Sequence, residues 1–379
     1  MAAAGSYDVA ILGGGPAGSA TALALKRRDS ALRVALIEKT DYSARRIGET
    51  LPPPAERLLT ELGIWDAFRR RSLLESFGTR AAWGSARFHE QEFIYSPCGR
   101  GWHLDRRDFD ALLVGEAERA GVAVLRKTLY QAEFDTGDFR ARFVVDATGR
   151  RSAFARARGA RHLVFDQLVG VVVFLRTGAA DTYTSVEACE HGWWYTATLP
   201  KGELAAVLMT DATQLRHVPW RTLAQWFELA ASAPYTASRV AEAIPLGEPS
   251  LYSASSRRLD AGVGHGWLAV GDAACTVDPL SSQGIMKALR SGITASLAIC
   301  QHIAGSSQAL AAYGARLPKD YEHYLDRRAA YYAMEQRWPD SPFWRSRHEL
   351  VSSPRRNAHA VHVEDQHQKE SDATGACHL

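Results

Sequence analysis

Short apolar runs alternate with a helical pattern over the first forty residues. Residues 7–12 (YDVAIL) and 33–37 have the apolar character of buried strands, and residues 19–26 between them have the spacing of a helix. Apolar runs bounded by turn residues are typical of strands, whereas apolar residues three and four apart indicate helices. The order predicts a βαβ unit at the start of the chain.

The rest of the chain continues this mixture of patterns. Helical spacing recurs, and several alternating or continuous apolar stretches favour strands. From Ser352 onward the sequence is polar and aperiodic, which predicts a disordered tail. The predicted helices cover 55–68, 106–120, 285–303 and much of 311–350, and the predicted strands fall within 77–103, 143–146, 164–210 and 266–270.

Composition excludes several classes of protein. The 379 residues are 46% hydrophobic and carry a net charge of +3, which is ordinary for a globular chain. The longest apolar run, residues 168–175, is shorter than the ~20 residues of a membrane span. Residues 1–8 lack the pattern of a signal peptide, so we expect a cytoplasmic protein without a membrane partner.

The distribution of charges and cysteines bears on nucleic-acid binding, disulfides and metal sites. The 45 basic and 42 acidic residues are interspersed, which argues against nucleic acid as a partner. The five cysteines are dispersed without paired spacing. They predict neither a disulfide framework nor a metal site.

A glycine-rich turn follows the first predicted strand. Gly13, Gly15 and Gly18 fit the pattern G-x-G-x-x-G, and Glu38 ends the second strand 20 positions after Gly18. Glycines let a pyrophosphate approach a helix N-terminus, and an acidic residue at this spacing binds ribose hydroxyls. The predicted dinucleotide contacts of these segments are Gly13, Gly15, Pro16, Ala17, Gly18, Glu38 and Lys39.

Two later motifs distinguish among dinucleotides. Residues 143–149 end in VVDATG, and residues 268–274 read LAVGDAA. With the glycine-rich turn, they resemble the three ordered fingerprints of the FAD-dependent aromatic hydroxylase superfamily, which includes flavin-dependent halogenases and geranylgeranyl reductases. The resemblance covers residues 1–310 and implies FAD as the cofactor.

The resemblance also implies an architecture. The expected fold class is α/β, with a doubly wound FAD-binding domain of the GR2 type. An antiparallel β-sheet substrate domain is inserted into it, and a short helical part follows. The expected ranges are 1–76, 104–160 and 250–310 for the FAD domain, 77–103 and 161–249 for the substrate domain, 311–351 for the helical part and 352–379 for the tail.

Further cofactor contacts follow from the same resemblance. Asp272 would bind the ribitol chain, residues 278–285 would pass beside the isoalloxazine ring, and Arg106 would reach the phosphate or adenosine side. A solvated surface role for Arg106, and a corner-anchoring role for Asp146, remain open alternatives. The implied contacts are Thr50, Arg106, Asp146, Gly149, Asp272, Pro279, Gln283, Gly284 and Ile285.

Two features of flavin-dependent halogenases are absent from the sequence, and their absence bears on which reaction the flavin supports. Residues 48–54 (GETLPPP) resemble a segment of the halogenase branch, whose members use a lysine downstream of it. Here no lysine occurs between Lys39 and Lys127, and residues 193–198 keep only the first position of the halogenase W-x-W-x-I-P signature. Arginine stays protonated, so Arg80 is a poor substitute. We therefore expect hydroxylation with O2 rather than halogenation.

Within this branch the chain resembles the LodB- and GoxB-like flavoproteins that mature tryptophylquinone enzymes, and the related monooxygenase for quinohemoprotein amine dehydrogenase. Residues 48–53, 192–200, 278–285 and 337–344 carry this likeness. It implies a precursor protein with a target tryptophan as substrate. Because there is one nucleotide motif, NAD(P)H would bind transiently or a reductase would supply electrons.

Catalytic and substrate residues are less strongly indicated. Glu49 is a candidate catalytic residue, with a loop-fixing role equally open. Trp193, Trp194 and Tyr195 could stack an indole, or belong to a packed core. The alternative functions are oxidation of a small aromatic metabolite, halogenation, and a non-catalytic module that binds a precursor.

Overall fold

Two large β-sheets and two small ones organise the structure, a computed structural model that describes residues 5–71, 73–129, 139–178 and 181–352. Within those ranges we find no helix whose length and hydropathy would let it span a bilayer. The predicted tail, residues 352–379, lies outside the described residues apart from Ser352, which ends a helix.

The strands, in chain order, are β1 (Gly5–Leu12), β2 (Val34–Ile37), β3 (Thr50–Leu51), β4 (Leu74–Ser76), β5 (Gly78–Ala82), β6 (His89–Glu92), β7 (Gly101–His103), β8 (Ala123–Leu125), β9 (Phe139–Asp146), β10 (His162–Val164), β11 (Leu168–Arg176), β12 (Tyr183–Cys189), β13 (Gly192–Leu199), β14 (Glu203–Asp211), β15 (Ile244–Pro245), β16 (Ser250–Ser253), β17 (Arg257–Leu259), β18 (Val263–Gly264), β19 (Trp267–Ala269) and β20 (Cys275–Thr276). The α-helices are α1 (Pro16–Arg28), α2 (Ala55–Glu61), α3 (Trp65–Arg69), α4 (Arg106–Arg119), α5 (Ala153–Ala157), α6 (Leu223–Ala231), α7 (Pro234–Val240), α8 (Gly284–Ile303), α9 (Ala309–Ala333) and α10 (Pro342–Ser352).

The first large sheet has the order β18-β19-β9-β1-β2-β8 and is parallel except for its β18–β19 edge. Its strands are apolar on both faces, as expected when a parallel sheet is covered on both sides. Helices α1, α4 and α8 contribute to the core on one face. Helix α5 and strand β17, from the three-stranded sheet β10-β17-β20, contribute to the core on the other. The predicted α/β class is confirmed.

The second large sheet has the order β15-β11-β14-β13-β12-β5-β6, with β16 also paired to β11. It is antiparallel except where β5 and β12 run parallel. Helices α6 and α7 cover one face. The C-terminal helices α9 and α10 pack on the other face, which also receives Ile47 and Leu280 from the first domain. The helical C-terminal part is therefore confirmed, and the exact domain boundaries stay a prediction.

A small sheet, β3-β7-β4, connects the two large ones. Thr50 pairs with His103, and Leu51 pairs with Trp102. Trp102 in turn packs edge-on against Trp65 and Phe68. This packing fixes the segment that carries Glu49 between the two domains.

Candidate active site

The glycine-rich turn between β1 and α1 packs against the turn that follows β9. Gly13 has φ +110°, and a Cβ there would lie 2.2 Å from the Ala147 carbonyl oxygen. A Cβ on Gly18 would lie 1.9 Å from the Gly13 carbonyl oxygen. Neither position has room for a side chain, which explains these two glycines without reference to a ligand.

Three other glycines face open space. A Cβ on Gly15, Gly149 or Gly284 would meet no atom within 4 Å. Helix α1 begins after Gly15 with Pro16 at its first position and no side-chain cap, so amide groups of its first turn are left for another partner. An open glycine before an uncapped helix N-terminus fits the pyrophosphate of FAD.

Glu38 is buried at the end of β2 and anchors the turn. Its Oε2 accepts a hydrogen bond from the Gly14 amide at 2.7 Å, and its Oε1 accepts from the Thr40 amide at 2.9 Å and hydroxyl at 2.7 Å. A carboxylate accepts roughly four hydrogen bonds, so capacity for one ribose hydroxyl remains. The neighbouring Lys39 is exposed.

Arg106 begins α4 and is held by its own helix. Its guanidinium donates to both carboxylate oxygens of Asp110 at 3.0 Å, and to the Ile47 carbonyl oxygen at 2.7 Å. A Cβ on Gly48 would lie 2.8 Å from Arg106 Nη1 and 3.9 Å from Ile285 Cγ1. The structure thus brings Arg106 and Ile285 together across Gly48, and Arg106 is not a solvated surface residue.

The two aspartates of the later motifs differ in their surroundings. Asp146 is buried and accepts hydrogen bonds from the Thr148 amide and hydroxyl and from the Ala155 amide, which anchors the corner after β9. Asp272 is 41% exposed and is paired with Lys287 Nζ at 2.9 Å. Burial opposes its ionisation, but the positive charges of Lys287, Arg150 and Arg106, with the hydrogen bond from Lys287, together lower the pKa of Asp272. Its partial exposure leaves Asp272 accessible to a ribitol chain.

Sequence reasoning missed Lys287. The available signal was its position two residues after the predicted flavin-edge segment 278–285, in the run DPLSSQGIMK. It lies in the first turns of α8, where the loop of Pro279 enters the helix. Gln283 and Gly284 are exposed at that helix start, whereas Ile285 is buried. The cofactor roles of these residues remain predictions.

The Glu49 side chain is 2% exposed, and its Oε1 has no hydrogen-bond partner among the described residues. Desolvation by burial raises the pKa of this carboxyl to about 7, despite opposing contributions from the Gly48 backbone and Arg106. A carboxyl with this pKa exchanges protons near neutral pH. A buried polar atom without a partner is rare, and it often marks a functional site.

A hydroxyl network surrounds the Glu49 carboxyl. The Tyr195 hydroxyl interacts with Glu49 and lies 3.1 Å from Thr50 Oγ1. Thr50 Oγ1 also lies 3.1 Å from Thr184 Oγ1 and 3.5 Å from His103 Nδ1. Thr50 therefore links the predicted catalytic carboxyl to the second large sheet. Sequence reasoning missed this contact between β3 and β13.

His103 supports this network in its neutral form. Burial lowers its pKa to about 4, and its Nε2 bonds the Thr182 carbonyl oxygen at 2.9 Å. A carbonyl oxygen only accepts, so Nε2 carries the proton and Nδ1 is an acceptor facing Thr50. The site consequently holds a fixed imidazole tautomer.

Strand β13 sends its aromatic residues to opposite faces. Tyr195 and Trp193 lie on the face toward the first domain, and Trp193 donates its Nε1–H to the Tyr332 hydroxyl at 3.0 Å. Trp194 lies on the other face, edge-on to Trp226 at 5.2 Å. Of these three residues, Tyr195 interacts with Glu49, whereas Trp193 packs edge-on against Trp83.

Arg80 lies on β5 and is already engaged. Its guanidinium pairs with Glu90 at 2.8 Å and Asp181 at 3.3 Å, and it stacks over the Tyr183 ring at 4.0 Å. These contacts commit the side chain to the sheet.

The tryptophan halogenase family model matches residues 8–75 and 74–374. The chain belongs to the tryptophan halogenase family. A relative from Marinomonas mediterranea, described as a putative FAD-dependent oxidoreductase LodB, is 31% identical over 367 residues, which cover 90% of this chain and 97% of the relative. This chain is an FAD-dependent oxidoreductase.

Two solved structures share the fold of this family member. The myxobacterial chondrochloren halogenase CndH is 24% identical with a TM-score of 0.80, covering 98% of this chain and 89% of its own. QhpG, described as a peptidyl tryptophan dihydroxylase essential for tryptophylquinone cofactor biogenesis, is 23% identical with a TM-score of 0.73, covering 90% and 79%. Both likenesses extend over most of this chain.

Proposed function

We propose that this family member is an FAD-dependent monooxygenase that hydroxylates the indole ring of a tryptophan within a precursor protein, during biogenesis of a tryptophylquinone cofactor. The similarity to LodB over nearly the full length of both chains supports it. The description of QhpG as a peptidyl tryptophan dihydroxylase points the same way. The observation that carries the proposal is the buried, half-unpaired Glu49 carboxyl beside Tyr195.

The residues of the chain supply binding and proton transfer. FAD, when bound, supplies the redox chemistry that activates O2. The predicted cofactor contacts, among them Gly15, Glu38, Arg106 and Asp272, would hold it. Hydroxylation of an aromatic ring releases a proton from the ring carbon, and Glu49 Oε1 is the free acceptor for it.

Tyr195 and Thr50 complete the proton path. When Glu49 is ionised, the Tyr195 hydroxyl can donate to its carboxylate; when Glu49 is protonated, the same hydroxyl can donate to Thr50 Oγ1 at 3.1 Å. Because His103 is neutral, the network carries no competing positive charge there. The pair therefore accommodates both protonation states of the base without moving a heavy atom.

The electron supply and compartment are part of the proposal. With one dinucleotide motif in the sequence, electrons would come from NAD(P)H bound transiently or from a reductase. The reaction would take place in the cytoplasm, where the free cysteines Cys98, Cys189, Cys275 and Cys300 stay reduced.

Halogenation is the second candidate, because the family model and CndH favour it. The lysine expected of such halogenases is absent between residues 40 and 126, and Arg80 is paired with two carboxylates. A guanidinium in that state is a poor nucleophile. We therefore place hydroxylation first.

Mass spectrometry of the products separates the candidates. A tryptophylquinone-enzyme precursor protein, free tryptophan and indole are each incubated with the enzyme, FAD, a reductant, O2, chloride and bromide. We expect a gain of one or two oxygen atoms on the precursor's tryptophan, and a loss of this product in Glu49→Gln but not in the exposed control Glu61→Gln. Halogen incorporation would contradict hydroxylation, and oxidation of only the small molecules would contradict a protein substrate.

A further inference from the structure

The Tyr332 hydroxyl joins two buried polar groups from different elements. Tyr332 lies at the end of α9 and is 2% exposed. It accepts a hydrogen bond from Trp193 Nε1 at 3.0 Å and donates to Asp278 Oδ2 at 2.8 Å. An indole nitrogen only donates and a carboxylate only accepts, so the Tyr332 hydroxyl must accept from Trp193 and donate to Asp278.

A second tyrosine of α9 holds the backbone of the same aspartate. The Asp278 amide donates to the Tyr324 hydroxyl at 2.7 Å. Asp278 Oδ1 accepts from the Leu280 amide at 2.9 Å, which closes the turn at the start of the loop. Asp278 itself is 2% exposed, so these contacts account for its buried polar groups without water.

This loop leads directly to the predicted flavin edge. Residues 278–283 run from Asp278 into α8, whose first residue Gly284 faces open space. Ile285 meets the segment of Gly48, and Leu280 packs against the aromatic core of the second sheet. A displacement of Asp278 would therefore be transmitted to the first amides of α8.

We propose that Tyr332 is a positioning residue for the flavin. It acts through Asp278, and fixes residues 278–284 in the position from which they would contact the isoalloxazine ring. The C-terminal helices thus belong to the cofactor site although they do not enter it. This inference rests on FAD binding and is independent of the identity of the substrate.

Replacing Tyr332 with phenylalanine isolates the hydroxyl. Tyr332→Phe leaves Asp278 Oδ2 and Trp193 Nε1 without this partner, while the ring that packs on Trp83 and Trp344 stays. Tyr321→Phe is the matched control, because the hydroxyl of this buried tyrosine of α9 donates to the Thr276 carbonyl oxygen at 3.2 Å and, among the described residues, has no bond to Asp278.

The readouts use the FAD-loaded enzyme without substrate. They are FAD affinity, and the visible spectrum and reduction potential of the bound flavin. We expect Tyr332→Phe to bind FAD about tenfold more weakly, because it loses a hydrogen bond to a charged group. Its flavin spectrum and reduction potential should also shift. Tyr321→Phe should keep the wild-type values of all three quantities. Equal values in both variants would overturn the proposal.

Asp278→Asn keeps the experiment decisive if Tyr332→Phe does not fold. Asparagine keeps the oxygen that accepts from the Leu280 amide, but places an NH2 group, which cannot accept a hydrogen bond, opposite the Tyr332 hydroxyl. We expect its flavin spectrum and potential to shift as in Tyr332→Phe; a folded Asp278→Asn with wild-type flavin properties would refute the role. If the enzyme did not oxidise tryptophan, these readouts would be unaffected, so the two proposals fail separately.

Discussion

Burying the Glu49 carboxyl with one oxygen unpaired costs folding free energy that other parts of the molecule must offset. Removing a polar atom from water without a hydrogen bond costs about 1–3 kcal/mol. Natural proteins retain such groups mainly where function requires them. The sequence motif GET indicated this residue, but not its burial, because the covering groups Tyr195 and Arg106 come from distant strands and helices.

The Glu49 carboxyl makes stability depend on pH. Its pKa is about 7 in the folded protein and near 4.5 in the unfolded chain, so its contribution is complete below pH 4.5 and is lost as pH rises through 7. That shift corresponds to about 3 kcal/mol. We expect Glu49→Gln to abolish this loss and to unfold at higher urea than wild type at pH 8.

Urea unfolding of the apoprotein at pH 5 and pH 8 tests this. The exposed Glu61→Gln variant in α2 serves as the control and should keep the wild-type slope with pH. An identical slope in Glu49→Gln would show that the carboxyl titrates normally.

At the scale of elements, α10 is attached to the second sheet by buried polar contacts. Arg347 donates to both carboxylate oxygens of Asp211, at 2.7 and 2.9 Å, and Trp344 Nε1 donates to the Cys189 carbonyl oxygen at 2.9 Å. Arg347 and Asp211 are 7% and 9% exposed. The helix therefore depends on charge pairing as well as on apolar packing.

Arg347→Met should destabilise the protein by about 3 kcal/mol or more, because it leaves the Asp211 carboxylate buried without its partner. Arg345→Met on the same helix removes a side chain that is 56% exposed, and should change stability by less than about 0.5 kcal/mol. Thermal unfolding of both variants measures the difference. Similar melting temperatures would mean that packing alone retains α10.

The sequence predicted elements better than their faces. The apolar runs placed β1 and β2 correctly and predicted strands within residues 164–210, where β12 and β13 lie, since strand character is local. Because side chains alternate along a strand, the sequence places Trp194 and Tyr195 on opposite faces of the sheet. Alternation does not show which of the two faces lies toward the first domain. Helix α6 was not predicted, although its capping box, Thr222 with Gln225, was a readable signal.

At the scale of the whole molecule, the predicted cofactor contacts come from segments far apart in the sequence: the turn before α1, the turn after β9 and the start of α8. Three open glycines fit a bound dinucleotide, whereas Gly13 and Gly18 serve the packing of the turn. The sequence pattern could not separate these two roles, because both require glycine. A substitution at one of the three open glycines can therefore test ligand binding without disturbing the fold.

FAD at about a hundred times its dissociation constant should stabilise the protein by about 2.7 kcal/mol. Riboflavin lacks the pyrophosphate and adenosine, and should stabilise it much less. Gly15→Ala should melt like wild type without ligand, since φ is −72° and a Cβ meets open space, but should lose most of the FAD effect. Thermal shift measurements decide this, and an equal FAD effect in both proteins would place the pyrophosphate elsewhere.

The packing of α1 against α8 has a consequence during synthesis. A Cβ on Gly292 would lie 2.7 Å from the Ala17 carbonyl oxygen, so the two helices touch through their backbones. Ribosomes add roughly 5–20 residues per second, and α8 is made long after α1. The first helix of the nascent chain must therefore wait many seconds before the helix that packs closely against it has been made.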